Sequence, residues 1–224
     1  MNINIINKNQ YRRNINKYIL YRFHPPSKSH SIQYSMASSS SSSSTFASTP
    51  LPRETKCPTI VTSNAHALSD KWTLWAHLPH DTDWGLKSYT KIFEFETVED
   101  AVAITDTLPP KLIMNCMLFL MRSGITPIWE DVQNRNGGCF SYKVPNADVP
   151  FSWKQLSYSI VGETISNTQS LLPHVNGITI SPKKNFCIIK IWLANCDYQN
   201  AAIIRDLTGI TSHGCLFKRH TPEY

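Results

Sequence analysis

Three side chains in this sequence have the types and spacing to recognise one kind of ligand. Trp84 follows a polar stretch, and 45 residues later comes the pair Trp129-Glu130. Two tryptophans can hold a flat purine between their rings. A guanine methylated at N7 carries positive charge, so each indole face adds a cation–π attraction to the stacking. The same charge sharpens the donor edge of guanine, N1–H and N2–H2. A carboxylate such as Glu130 can accept both donors as a charge-assisted, bidentate pair. Stacking alone is worth about 1–3 kcal/mol per base and tolerates any base, so the carboxylate must supply the choice of guanine. The competing reading is structural. The chain has six tryptophans, and a lone tryptophan more often fills a core than serves as a platform. Glu130-Asp131 can equally cap a turn.

The surrounding residues favour the binding reading. Ile125-Thr126-Pro127-Ile128-Trp129-Glu130-Asp131 is followed by a polar stretch, 132–136, and then by Gly137-Gly138. Proline and the double glycine bracket an exposed loop, with Trp129 at its mouth and a strand on each side.

The passage from Met121 to Asp131, with Gly137-Gly138 behind it, resembles the signature of the translation initiation factor 4E family, the mRNA cap-binding proteins. His66-Ala67-Leu68 with Trp72 and Trp75, then Thr97 to Asp100, Phe151 and Trp153, Val161-Gly162-Glu163, and Ile189 to Trp192 resemble further family segments in the same order. The likeness covers roughly residues 65–220. It implies that Trp84 and Trp129 are the stacking pair, Glu130 the guanine acceptor and the backbone N–H of Trp129 a donor to guanine O6. It implies cap-phosphate contacts from Lys183, with Lys184 as an added cation. Departures are visible: Ile188 stands where a second phosphate-binding lysine is usual, Asn185 where another cation is common, and Cys139-Phe140 where a basic residue and a tryptophan follow the glycines. The resemblance also implies a partner surface for a scaffold or repressor peptide, with His66, Val98, Val102, Trp153 and Lys154 on it. There Val102 replaces a tryptophan, and Lys154 and Tyr158 replace leucines.

The formal net charge is +6, but residues 1–53 hold seven Lys or Arg and no Asp or Glu. The remainder, +6 less +7, is −1 for residues 54–224. Overall basicity therefore says nothing about a nucleic-acid face, and cap-binding charge must be local, in Lys183, Lys184, Lys218 and Arg219. Six cysteines form no Cys-x-x-Cys pair and, with eight histidines, no zinc spacing, so reduced thiols and no metal or cofactor are expected. No nucleophile–base constellation or Gly-rich phosphate loop points to an enzyme. No apolar run is long enough to cross a bilayer. The expected setting is cytoplasmic and the expected state monomeric.

Residues 1–64 read as a disordered, basic, Asn- and Ser-rich extension, because such composition cannot bury enough apolar surface to offset ordering entropy. An organelle transit peptide and a translation start at Met36 are the rival readings of that segment. Residues 65–224 read as one cap-binding domain. Its expected elements are strands at 72–78, 88–95, 116–121 and 138–143, the last as return partner of the third. Further strands are expected at 177–181, 186–193 and 215–217. Helices are expected at 98–108, capped by Thr97 and stopped by Pro109-Pro110, at 152–161, and at 200–207 behind Asn200. These elements imply an α+β fold: a curved antiparallel sheet backed by about three helices on its convex face, with the ligand on the concave face. The functional expectation is cap binding in translation initiation. The alternatives are a cap-binding repressor or decoy that does not recruit the usual scaffold, and an interaction module that has kept only the fold.

Overall fold

The computed structural model describes residues 65–222, so the reading of residues 1–64 lies outside the described residues. Seven strands form one antiparallel sheet: β1 Ala67–His77, β2 Tyr89–Thr97, β3 Met117–Arg122, β4 Gly138–Pro145, β5 Val175–Pro182, β6 Phe186–Leu193 and β7 Leu216–Arg219. Their spatial order is β2-β1-β3-β5-β6-β4-β7. Three helices lie against one face: α1 Val98–Thr107, α2 Pro110–Asn115 and α3 Val149–Val161. Fold class and helix count match the expectation.

Period-2 alternation decides which side chains face the helices. Trp72, Leu74 and Ala76 of β1, Leu118 and Leu120 of β3, Ile178 and Ile180 of β5, and Ile189 and Ile191 of β6 all enter one core with Trp153, Leu156 and Ile160 of α3. The residues between them point the other way. There Phe119, Met121, Ile125 and Trp192 form a second, smaller cluster, with Trp75, Tyr89, Met117 and Trp129 packed on it. The helix-free face is thus a built surface.

Local signals were read correctly at several ends. Thr97 caps α1, its Oγ1 accepting from the Asp100 N–H at 3.2 Å, with Glu99 and Asp100 in the first turn. The β5–β6 hairpin closes where Lys183 N–H donates to Phe186 O at 2.8 Å.

Three expectations are corrected. β4 is not the partner of β3; it pairs with β6 and β7, whereas β3 lies between β1 and β5. Pro109-Pro110 does end α1, but Pro110 also opens α2, because a proline at the first helical position loses no hydrogen bond that the helix would make. The helix expected at 200–207 is one 3-10 turn, Ala201–Ile203. Asn200 caps it, accepting from Ala202 N–H at 3.0 Å, yet the chain turns back at once. No described helix is long and apolar enough to cross a membrane.

Candidate cap-binding site

Trp84 sits on the loop after β1 and is 59% exposed. It does not stand unsupported. Its indole lies flat on the His77 imidazole, with centroids 4.4 Å apart and planes 3° apart. His77 is buried and also holds the loop, its Nε2 2.8 Å from the Asp83 carbonyl. A carbonyl only accepts, so Nε2 carries the hydrogen. The Asp83 carboxylate then accepts from Gly85 N–H at 2.8 Å, and Asp81 accepts from Asp83 N–H at 3.0 Å. The short polar run that looked like a turn is an aspartate-bonded cradle for one indole.

Trp129 is supported from the far side of the sheet. It lies over His220, centroids 5.6 Å apart and planes 14° apart. The Lys190 and Lys218 ammoniums stand 5.9 Å and 5.6 Å from its ring centroid. Lys190 is opposite Ser141, and Lys218 opposite Cys139, which is itself opposite Trp192. Lys218 was among the cations singled out in the sequence; Lys190 was not. Its signal was there: a charge alternating with Ile189 and Ile191 in a strand must face away from their core.

The 15-residue connection from β3 to β4, residues 123–137, crosses the ends of β5 and β6. Asn134 holds it. This side chain is fully buried, and its Nδ2 donates to Thr126 O at 2.9 Å and to Ile128 O at 2.8 Å. Asn176 Nδ2 of β5 in turn donates to Asn134 Oδ1 at 2.9 Å and to Gln133 O at 2.7 Å. Asp131 accepts from Thr126 N–H at 2.8 Å and from Gln133 N–H at 2.9 Å. Asp131 is therefore the turn cap, and Glu130 beside it is not needed for that work. The polar stretch read as wholly exposed is exposed at Val132 but locked at Asn134.

One phenol registers both loops. Tyr89 meets His77 edge-on at 5.0 Å and Phe119 edge-on at 5.3 Å. Its hydroxyl is pushed up to about 12, first by burial, then by the negative charges of Glu130 and Asp83. The Trp84 loop and the Trp129-Glu130 loop thus each bring a carboxylate to the same half-buried ring. Lys183 and Lys184 are at the exposed tip of the β5–β6 hairpin. Ile188 faces the same side as Lys190, opposite Ser181 and Lys143.

On the helical face, His66 and Val98 meet: Val98 N–H donates to His66 O at 2.8 Å, and Glu99 Oε1 lies 2.7 Å from His66 Nδ1. Hydrogen bonding from His66 holds the Glu99 carboxyl below its usual range. Val98 is exposed and Val102 half-buried. Trp153 is corrected: at 1% exposure it is core beneath that surface, not part of it. Lys154 Nζ and the Tyr158 hydroxyl both reach Asp106 Oδ1 at 2.7 Å, which joins α3 to α1 by polar contacts.

His220 gives the site a pH signature. Its Nδ1 donates to Asn134 O at 2.7 Å, so the neutral ring both holds the loop and backs Trp129. Burial keeps its pKa below the ordinary 6.5, and the Lys190 ammonium adds to that against the Asn134 hydrogen bond. A folded state that resists protonation binds fewer protons than the unfolded chain. Stability is then complete above pH 6.5 and is lost as pH falls from 6.5 toward the lowered value. His220→Phe is expected to flatten the fall in thermal midpoint as pH drops below 6.5; an unchanged slope would refute this role.

The family model for eukaryotic initiation factor 4E matches residues 67–218. The chain belongs to that family. It is 31% identical over 133 residues to the initiation factor 4E of Eremothecium gossypii, 57% of this chain and 62% of that protein. To initiation factor 4E-2 of Schizosaccharomyces pombe it is 32% identical over 142 residues, 59% of this chain and 55% of that protein. The match thus spans less than two thirds of the length of these two relatives. Among solved structures it is similar to Schistosome eIF4E complexed with m7GpppG and 4E-BP, with TM-score 0.54 and 26% identity, covering 59% of this chain and 74% of that one. It shares its fold with C. elegans eIF4E-3 in complex with the 4E-binding protein Mextli and cap analog, with TM-score 0.54 and 23% identity, covering 59% and 76%.

Proposed function

We propose that this 4E-family chain binds the 7-methylguanosine cap of mRNA in the cytoplasm and promotes translation initiation by binding, without catalysis. Trp84 and Trp129 stack on the two faces of the base, and Glu130 accepts from N1–H and N2–H2. Lys183 and Lys184, with Lys190 and Lys218 beside Trp129, supply the cations for the phosphates. The observation that carries this reading is the convergence of two built loops on the helix-free face. One holds an exposed indole on His77, the other a half-buried indole on His220, and Tyr89 feels the Glu130 carboxylate between them. The Schistosome relative is complexed with m7GpppG and with 4E-BP. A regulatory peptide on the α1–α3 face is the corresponding second partner, and the Lys154–Asp106–Tyr158 contacts make that face more polar than an all-apolar groove.

Tryptophan-fluorescence titration tests the reading. The wild type is expected to be quenched by 7-methyl-GTP at concentrations where GTP has no effect. Glu130→Gln should weaken 7-methyl-GTP binding by about 10- to 100-fold, the worth of a charge-assisted bidentate pair. Equal response to both nucleotides in the wild type would overturn the assignment.

A further inference from the structure

The helix-free face continues past Trp129 to Phe186 and Lys143, two side chains that the cap reading does not use. β4, β5, β6, β7 and the hairpin tip 183–185 contain no Asp or Glu. They contain Lys143, Lys183, Lys184, Lys190, Lys218 and Arg219. Residues 54–224 as a whole sum to −1, so this half of the sheet concentrates positive charge that the rest of the domain balances elsewhere. On the other half, Lys71 and Lys91 are neutralised by Glu94 and Glu96.

Within the basic half an aromatic recurs. Phe186 begins β6 and has the same parity as Ile188, Lys190 and Trp192, so it faces the same side. It is half-buried, and the Lys143 ammonium lies 4.6 Å from its ring centroid. Lys143 is exposed and one strand over, opposite Ile188. That puts its Cα about 7–8 Å diagonally from Lys190. Phe186 is four residues from Lys190, about 13 Å along the strand. The hairpin lysines are anchored to it through Lys183 N–H, which donates to Phe186 O at 2.8 Å. The sheet therefore carries two aromatic–cation stations along β6, Trp129 with Lys190 and Lys218, and Phe186 with Lys143, with the cap-phosphate lysines of the hairpin tip next to the second. Ring faces and ammoniums alternating on strands that carry no Asp or Glu suit single-stranded RNA, whose bases stack on rings while phosphates meet cations.

We propose that Phe186 and Lys143 form a second nucleotide station that takes the first nucleotides following the cap, without regard to sequence. This rests on the cap reading above for its direction, because the cap base sets where the RNA begins.

The test compares 7-methyl-GTP with a capped RNA of about ten nucleotides, using wild type, Lys143→Ser and Phe186→Leu, with unfolding curves to confirm that both variants fold. The wild type should bind the capped RNA about tenfold more tightly than 7-methyl-GTP, the effect of one stacked base with its phosphate contacts. Each variant should lose most of that advantage while keeping its 7-methyl-GTP affinity. Lys143→Ser should also reduce the salt slope by about 0.7. A capped RNA that binds no more tightly than 7-methyl-GTP would overturn the proposal, as would an advantage that survives both variants. If 7-methyl-GTP itself does not bind, the cap reading fails separately. Uncapped RNA of the same sequence then decides the station: binding weakened by both substitutions supports it, and no binding overturns it.

Discussion

Trp129→Ala is expected to abolish retention of the protein on a 7-methyl-GTP resin. The substitution removes one of two stacking faces, worth about 1–3 kcal/mol for a base, together with a cation–π attraction of about 0.5–2 kcal/mol toward the methylated ring. It also leaves Lys190 and Lys218 without the ring they border at 5.9 and 5.6 Å. The combined loss, about 1.5–5 kcal/mol, corresponds to a Kd increase of about tenfold to several thousand-fold. The fold should survive, because Trp129 packs at the margin of the helix-free cluster and not in the helix-side core. The decisive comparison is resin retention against the unfolding midpoint. A Trp129→Ala protein that is folded and still retained would end the stacking assignment.

Gly137→Ala is expected to damage fold and site together. A Cβ at this position would lie 1.8 Å from the Leu193 carbonyl oxygen and 2.9 Å from its carbon. Both are backbone atoms of β6, so no rotamer change relieves the clash, and the strand end must move. Gly137 also accepts from His220 N–H through its carbonyl at 3.0 Å and donates to Asn134 O at 2.9 Å. Displacing it therefore loosens the ring behind Trp129 and the asparagine that holds its loop. Overpacking costs about 1–3 kcal/mol where side chains can yield; against fixed backbone we expect about 3 kcal/mol or more. Chemical denaturation of Gly137→Ala beside Gly124→Ala checks this. Nothing lies within 4 Å of a Cβ at Gly124, although its φ of +87° adds local strain. If Gly137→Ala is the milder of the two, the close-approach argument is wrong.

The two glycines show what the sequence could and could not disclose. Their presence marked the end of a loop correctly. The reason for them did not appear, because it is the approach of Leu193 and Lys218, 56 and 80 residues further on. The same division runs through the fold. Thr97 and the alternation of β6 are local devices, and each acts as its spacing predicts. Strand order is nonlocal: β4 is expected beside β3, and β5 and β6 stand between them. Asn200 was read as a helix start and does cap a turn, but a cap says nothing about how long the helix continues. Trp84, Trp129 and Glu130, the residues of the proposed site, stand out in the sequence because their chemistry is distinctive. His77, Asn134, Lys190 and His220 were not, since each acquires its role from a neighbour on another element.

Among the described residues β7 pairs with β4 alone, and the residue after it, His220, reaches Asn134 and backs Trp129. During synthesis the recognition loop is therefore complete in sequence long before it is complete in shape. Until Leu216–His220 has emerged and zipped onto β4, the indole at position 129 lacks its rear wall.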